Sequence, residues 1–266
     1  MSTLAIATWN VNSIKARQSN LLQWLREAKP DIVLLQELKC VDEAFPQEPI
    51  TELGYHCAVF GQKSYNGVAI LSRFPLEAVR RGLPGEEEDA QARYIEAMTA
   101  GLRVASIYLP NGNPVGTGKF AYKIRWLERL RAHAARLLEA DDPVALGGDY
   151  NVIPEARDCW DPDAWADDAL FRPESRRGFR ALLYLGYYDA FRARHPEEKN
   201  AYTYWDYQGG AFQLDRGIRI DHILLSPPAV DRLADAVIDR KPRGRPRASD
   251  HTPLIVTLEE PVSPIP

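Results

Sequence analysis

The sequence predicts an α/β (α+β) protein in which strands outnumber helices and run mostly antiparallel. Three observations predict it. Short apolar or alternating runs recur along the chain, bounded by Gly, Pro, Asn or Asp. Helical periodicity is confined to a few stretches, of which 119–140 is the clearest. Between them strand follows strand, without the regular βαβ alternation of a doubly wound parallel sheet.

Leu4 to Trp9 forms a buried strand that ends at Asn10. Ser13 caps a helix from Ile14 to Lys29, apolar at Leu21, Leu22 and Leu25, and Pro30 ends it. Asp31 to Glu37 is a second strand that stops at a carboxylate. Tyr55–Phe60 and Val68–Ser72 make a hairpin around the turn-rich loop Gly61 to Gly67. Leu76–Arg81, Arg93–Met98 and Arg103–Leu109 continue the meander around an acidic loop, Gly82 to Ala92.

In the helix Lys119 to Ala140 the apolar positions Phe120, Ile124, Leu127, Leu130, Ala134, Leu137 and Leu138 recur near the helical period. Pro143 to Leu146 then opens a short strand that runs through Gly147 and Gly148 to Asp149 and Asn151. Residues two apart on an extended segment share a face, so this carboxylate and carboxamide point the same way. The loop Ile153 to Arg172 is long enough to be functional or a packed cover, with Trp160 and Trp165 as its anchors. A helix from Glu174 to Leu185 follows. Strands are expected at Ala201–Tyr207, at Ile218–Ser226 with Asp221 near its centre, at Ala234–Asp239 and at Leu254–Leu258. With no internal linker, residues 1–260 read as one domain and 261–266 as a loose tail.

Hydrophobic residues are 45% and charged residues 26%, ordinary for a water-soluble domain, and the net charge of −4 leaves no global footprint for nucleic acid. A local basic run, Arg240 to Arg247, reads either as a solvated loop or as a contact for phosphate. Cys40, Cys57 and Cys159 suit free thiols in a reducing cytosol. No apolar run has transmembrane length, and the first residues have no signal-peptide layout. A cytoplasmic protein is the expectation.

Chemistry-bearing side chains sit at the ends or openings of separate strands: Asn10, Glu37, Asn111, Asp149 with Asn151, and Asp250 with His251. Asp221 needs a partner inside its strand, and His251 is the natural one, since such a pair fixes the imidazole tautomer. Hard oxygen donors without a His or Cys pattern suit Mg²⁺ or Mn²⁺ better than zinc.

Seven blocks carry a family resemblance: Trp9-Asn10-Val11-Asn12, Leu35-Gln36-Glu37-Leu38-Lys39, Tyr65 to Ser72, Tyr108-Leu109-Pro110-Asn111-Gly112, Gly147 to Asn151, Ile220-Asp221 and Ser249-Asp250-His251. Taken in this order, the chain resembles the exonuclease III family of AP endonucleases, within the wider DNase I-like group of metal-dependent phosphodiesterases. The resemblance implies a four-layer αββα sandwich of two mostly antiparallel sheets flanked by helices. It implies a DNA repair nuclease that cuts 5′ to abasic sites and has 3′→5′ exonuclease and 3′-phosphodiesterase or phosphatase activity. One or two Mg²⁺ or Mn²⁺ ions are implied, with Glu37, Asn10, Asp250, Asp149 and Asn151 around them. Asp149 becomes the base and Asn151 its positioner, with an ionised Tyr108 as the alternative base. His251, paired with Asp221, faces the scissile phosphate, and Tyr108 and Asn111 touch its oxygens. Tyr204, Ile218 and Ile220 match an apolar slot for an extruded abasic sugar, and Arg93, Lys119 and Lys123 match phosphate contacts. The implied partner is double-stranded DNA with abasic sites or 3′ blocks, met by a monomer that joins the nucleoid during repair. Two rival readings stay open: a phosphoesterase of the same group acting on inositol phosphates or sphingomyelin, and a DNA-binding homologue without activity. Asn12 departs from the Asp of many relatives, Gln208 and Pro114 from their basic residues.

Overall fold

The computed structural model describes residues 3–259; the tail expected at 261–266 lies outside them. In chain order the elements are β1 (Thr3–Asn10), α1 (Ile14–Ala28), β2 (Ile32–Gln36), α2 (Gln47–Thr51), β3 (His56–Phe60), β4 (Val68–Ser72), β5 (Glu77–Arg81), β6 (Tyr94–Thr99), β7 (Leu102–Tyr108) and α3 (Gly118–Leu138). Then come β8 (Val144–Asp149), α4 (Pro173–Tyr184), β9 (Tyr188–Asp189), α5 (Ala190–Arg194), β10 (Asp221–Leu225), α6 (Pro227–Val230), β11 (Leu233–Ile238) and β12 (Leu254–Glu259). No helix among the described residues is long and apolar enough to cross a membrane.

Two six-stranded sheets stack face to face, ordered β11-β12-β1-β2-β4-β3 and β5-β6-β7-β8-β10-β9. Each has one parallel pair, β1 with β2 and β7 with β8, and is otherwise antiparallel. The parallel pairs are joined by the two long helices. The α1 crossover follows from its sequence: the Ser13 hydroxyl accepts the Ala16 N–H, and Lys29 ends the helix in a left-handed turn before Pro30. Helix α1 packs Leu21, Trp24 and Leu25 on Trp9, Val33 and Leu35, while Trp126, Leu127 and Leu130 of α3 pack on Ile107 and Leu146. The result is the four-layer αββα sandwich. Fully burying each such side chain contributes about 1.5–3 kcal/mol.

Between the sheets the core changes character along its length. At one end Leu4, Ile6, Ile32, Leu34, Val104 and Ala145 meet as an apolar core. Toward the C-terminal ends of the parallel pairs, polar side chains take over. Gln36 donates to the hydroxyls of Thr8 at 3.1 Å and Ser106 at 3.0 Å, across the gap between the sheets. Gly147 makes this close approach possible, because a Cβ there would lie 2.5 Å from Leu34 Cδ1. Beyond this layer all four strands end together.

Two expected strands differ in the structure. Ala201–Tyr207 forms only isolated bridges at Tyr204, because Tyr202 and Trp205 turn inward to pack on Ala211 and Phe212. The strand expected from Ile218 begins at Asp221, since Thr203 Oγ1 accepts the N–H groups of Ile220 and Asp221 and takes them out of the ladder. Asp221 therefore opens its strand rather than occupying the centre. The basic run is tied to the protein: Arg243 lies over Tyr207 and Phe212, Arg240 over Trp205, and Arg245 pairs with Glu27.

Two buried cations hold the segments around the strand ends. Arg219, 1% exposed, donates to Asp158 and Asp189 at 2.7 Å each, fastening the 153–172 loop and the start of α5 to β10. Lys123 corrects an expectation. Its side chain is wholly buried and donates to the backbone carbonyls of Asn111 at 3.0 Å and Asn151 at 2.5 Å, so it is a clamp and not a phosphate contact. Gly112 makes room for it: φ is +89°, and a Cβ would meet Lys123 Cδ at 2.6 Å.

Burial opposes ionisation of Asp158 and Asp189, but Arg219 together with Arg192 at Asp158 and with His222 at Asp189 outweighs it and holds both below the usual carboxylate range. Their folded values lie under the unfolded one of about 3.9, so their stabilising effect is complete above roughly pH 4 and lost as pH falls through the folded values. Arg219→Met, which leaves Asp158 to Arg192 alone and takes the guanidinium from Asp189, is expected to lower unfolding free energy at pH 7 by about 3 kcal/mol. Urea unfolding should also show the gap from wild type narrowing on acidification, as the less well paired carboxylates take up protons; a gap independent of pH would contradict the pairing. Lys123→Met leaves two carbonyls without their donor and is expected to cost about 1–3 kcal/mol. A variant as stable as wild type would show that the clamp holds nothing.

Candidate active site

The ends of β1, β2, β7 and β8 and the opening of β10 gather Asn10, Glu37, Tyr108, Asp149 and Asp221 at one edge of the sandwich. Strand register accounts for much of this: Asp149 pairs with Tyr108 on one side and Asp221 on the other, and Asn10 with Gln36. His251 arrives from the segment before β12, bridged to Tyr204. The local backbone is strained here. Asn12, Glu37, Lys39 and Asn151 have left-handed φ values of 43°, 54°, 54° and 47°. Such conformations cost on the order of 1–3 kcal/mol each and cluster at functional sites.

Asp149 is at the centre. Its Oδ2 accepts from Asn10 Nδ2 at 2.9 Å and Asn151 Nδ2 at 3.3 Å, and its Oδ1 accepts the Asn151 backbone N–H at 2.8 Å. His251 Nε2 stands 3.8 Å from the same Oδ2. The other ring nitrogen, Nδ1, is 2.8 Å from Asp221 Oδ2, so the imidazole lies between two carboxylates. Asp221 Oδ1 is buried without a hydrogen-bond partner among the described residues. Asn111 Nδ2 donates to Asn151 Oδ1 at 3.2 Å, extending the amide chain outward.

Burial penalises charge on His251, but Asp221 and Asp149 more than offset it and raise its pKa, which favours the form with a proton on both nitrogens. Burial pushes the Asp149 carboxyl up, and the nearby His251 charge only partly reverses this. Glu37 is held below the usual carboxylate range against its burial by the Lys39 ammonium, 2.9 Å away, and by the Asn10 amide. Burial, with the charges of Glu37 and Asp149, keeps the Tyr108 phenol well above its ordinary pKa.

Glu37, Asp149 and His251 bring one ligand atom each within 4.8 Å of one another. A charged imidazole is a poor ligand, which leaves the carboxylate oxygens of Glu37 and Asp149, with Asp250 on the same cavity wall. This oxygen set fits a hard divalent cation. Asn10 was expected among the ligands, but its amide nitrogen faces the carboxylates, donating to Glu37 Oε1 and Asp149 Oδ2 at 2.9 Å. Its oxygen is engaged by the Asn12 N–H at 3.0 Å. Asn10 therefore bridges the two carboxylates.

The cavity in front of Asp149 and His251 has a volume of about 300 Å³. Glu37, Tyr108, Asn111, Asn151, Tyr204, Ile220 and Asp250 line it. Ile218 packs with Ile220 and Tyr204 in one apolar cluster, as expected, and lines an adjoining cavity. Arg93 and Lys119 lie outside, along a polar groove of about 470 Å³ that meets the site at Asn111. There the Arg93 guanidinium stacks 4.8 Å from the Tyr108 ring.

Sequence reasoning missed two groups. Trp165 was expected only to anchor its loop, yet it lines the catalytic cavity with Leu170. Lys39 donates to Asn12 Oδ1 at 2.6 Å as well as pairing with Glu37, and Asn12 in turn donates to Asp250 Oδ1 at 3.0 Å. This chain of contacts gives Asn12 a connecting role. The proximity of Lys39 to Glu37 in sequence was the available signal.

Known proteins are similar along nearly the whole chain. Exodeoxyribonuclease III of Haemophilus influenzae is 33% identical over 258 residues, covering 93% of this chain and 97% of that one. The structure of an AP endonuclease from Archaeoglobus fulgidus superposes with a TM-score of 0.93 at 39% identity, covering 97% and 100% of the two chains. That of the 3′ phosphatase NExo from Neisseria, bound to a product DNA hairpin, gives 0.94 at 38% identity with the same coverage. Residues 7–251, a span running from before Asn10 to His251 itself, match the Endonuclease/Exonuclease/phosphatase family, and the chain belongs to that family.

Proposed function

We propose that this chain is a Mg²⁺- or Mn²⁺-dependent DNA repair nuclease that hydrolyses the phosphodiester 5′ to abasic sites. On the same reading it removes nucleotides and blocking groups from 3′ ends. Residues 1–260 act as one catalytic domain, as a monomer in the cytoplasm, on double-stranded DNA. The observation that carries the reading is the buried imidazole between Asp221 and Asp149, opening with Tyr108, Asn111 and Asn151 onto one cavity.

Each residue has a role that its surroundings support. Asp149, raised by burial, has the proton affinity of a general base at neutral pH. It takes a proton from a water that Asn151 helps to orient. The water oxygen bonds to phosphorus as the P–O3′ bond breaks, and the freed 3′ oxygen takes a proton from solvent and leaves as a hydroxyl. His251 donates from Nε2 to a nonbridging oxygen, where negative charge grows. The high pKa of Tyr108 makes the phenol a donor and argues against it as the base. Asn111 offers an amide to the phosphate, and Arg93 and Lys119 face the DNA backbone along their groove. Glu37 and Asp149, with Asp250 and Asn151 beside them, would hold a divalent cation, which when bound would supply positive charge near the phosphate and acidify water.

Asp149→Asn is expected to lower the cleavage rate by about 10²–10⁴-fold while preserving affinity for the uncut duplex. Wild-type turnover in single-turnover assays of this variant would remove Asp149 as the base. An end-labelled abasic duplex tests the function itself. Cleavage 5′ to the site with Mg²⁺, none with chelator, and recovery on adding the ion back are expected. Hydrolysis of a soluble inositol polyphosphate but not of the duplex would point to another phosphoesterase of this family.

A further inference from the structure

The cavity that Ile218 faces has a volume of about 180 Å³ and adjoins the catalytic one. Its walls include Trp160, Trp165, Tyr204 and Ile218, with Asp206 and Gln208 at the edge. Trp165 and Tyr204 belong to both cavities, so the two spaces share a wall. Ile220 and Ile218, two residues apart, face one cavity each.

The walls are pinned by backbone. Ile218 bridges to Cys159 and to Tyr204, and Tyr204 bridges to His251, so one irregular ladder runs from the imidazole to the far side of the cavity. The Trp160 N–H donates to Gly217 O at 3.1 Å. Trp160 is 42% exposed even so, and the Arg216 guanidinium covers its ring at 5.1 Å. A large indole fixed by its backbone, with a guanidinium over one face and 42% of the residue still exposed, offers aromatic surface for stacking. Aromatic faces with polar edges are the chemistry that binds a base removed from its stack.

We propose that this cavity is a subsite for the nucleobase of the nucleotide whose 5′ phosphate is cut. The proposal rests on the phosphodiesterase reading above and assigns where the base of a removed 3′ nucleotide lies. A sugar lying against Ile220 and Tyr204 directs its substituent past Tyr204 toward Ile218. A base enters between the aromatic walls, with Asp206 and Gln208 near its polar edge, whereas an abasic sugar leaves the subsite empty. Removal of intact nucleotides from 3′ ends therefore depends on Trp160 and Ile218, which line this cavity alone, while Trp165 and Tyr204 serve both substrates.

The test compares two recessed duplexes, one ending in an ordinary 3′ nucleotide and one in an abasic 3′ residue, both with Mg²⁺. Trp160→Ala is expected to slow removal of the base-bearing nucleotide roughly ten- to hundredfold, the effect of losing one stacking partner, and to leave the abasic terminus unchanged. Trp160→Phe restores most of the difference. The abasic terminus also reports whether the variant is folded. A measurement without substitution at Trp160 uses Asp149→Asn protein and a terminal 2-aminopurine, whose fluorescence should be quenched on binding. Equal slowing of both termini, no slowing of either, or an unquenched probe would overturn the subsite while abasic cleavage by wild type stands. Failure of wild type to cut either DNA would instead overturn the phosphodiesterase reading, and the subsite with it.

Discussion

The buried imidazole of His251, held between Asp221 and Asp149, is the interaction that the surrounding structure serves. An isolated buried charge of this kind would be very costly. Here one carboxylate lies 2.8 Å from Nδ1 and the other 3.8 Å from Nε2. The same ion holds negative charge close together, which like-charge repulsion would otherwise separate. Asn10 and Asn151 complete the balance by donating amide hydrogens to Asp149. Lys39 does the corresponding work for Glu37 on the exposed side.

Packing is arranged to bring these charges together. Two parallel strand pairs, one from each sheet, end at the same edge, and the intersheet core changes from aliphatic to hydroxyl and amide before reaching it. The sheets approach closely enough at Gly147 for Gln36 to span the gap. Buried ammonium and guanidinium groups do outside the centre what glycine does inside it. Lys123 holds two loop carbonyls, and Arg219 joins three segments that surround the cavities. Their charge is spent on position, so neither is free for a ligand.

Most of the strands and the two long helices were legible because their signals are local: apolar runs, the Ser13 cap, the period of 119–140. The convergence of Asn10, Glu37, Asp149 and His251 at one edge was suggested by their shared place at strand ends. The failures have a common cause. Ala201–Tyr207 alternates like a strand, but its aromatic residues are divided between a loop core and the cavities. Lys123 carries no mark that distinguishes a buried clamp from a surface cation; only the carbonyls that meet it decide. Ile218 and Ile220 look equivalent in sequence, yet the backbone turns each toward a different space. Long-range partners, absent from any window of the chain, made each of these choices.

The division of the catalytic edge between the two sheets has a further consequence. Glu37 and Asn10 extend from one, Tyr108, Asp149 and Asp221 from the other, so neither layer owns a complete centre. Any slippage between the layers separates reacting groups even while every strand remains hydrogen-bonded. Enzyme turnover in this architecture is thus a more sensitive gauge of interlayer alignment than spectroscopic measures of secondary structure, and it vanishes first when the layers loosen.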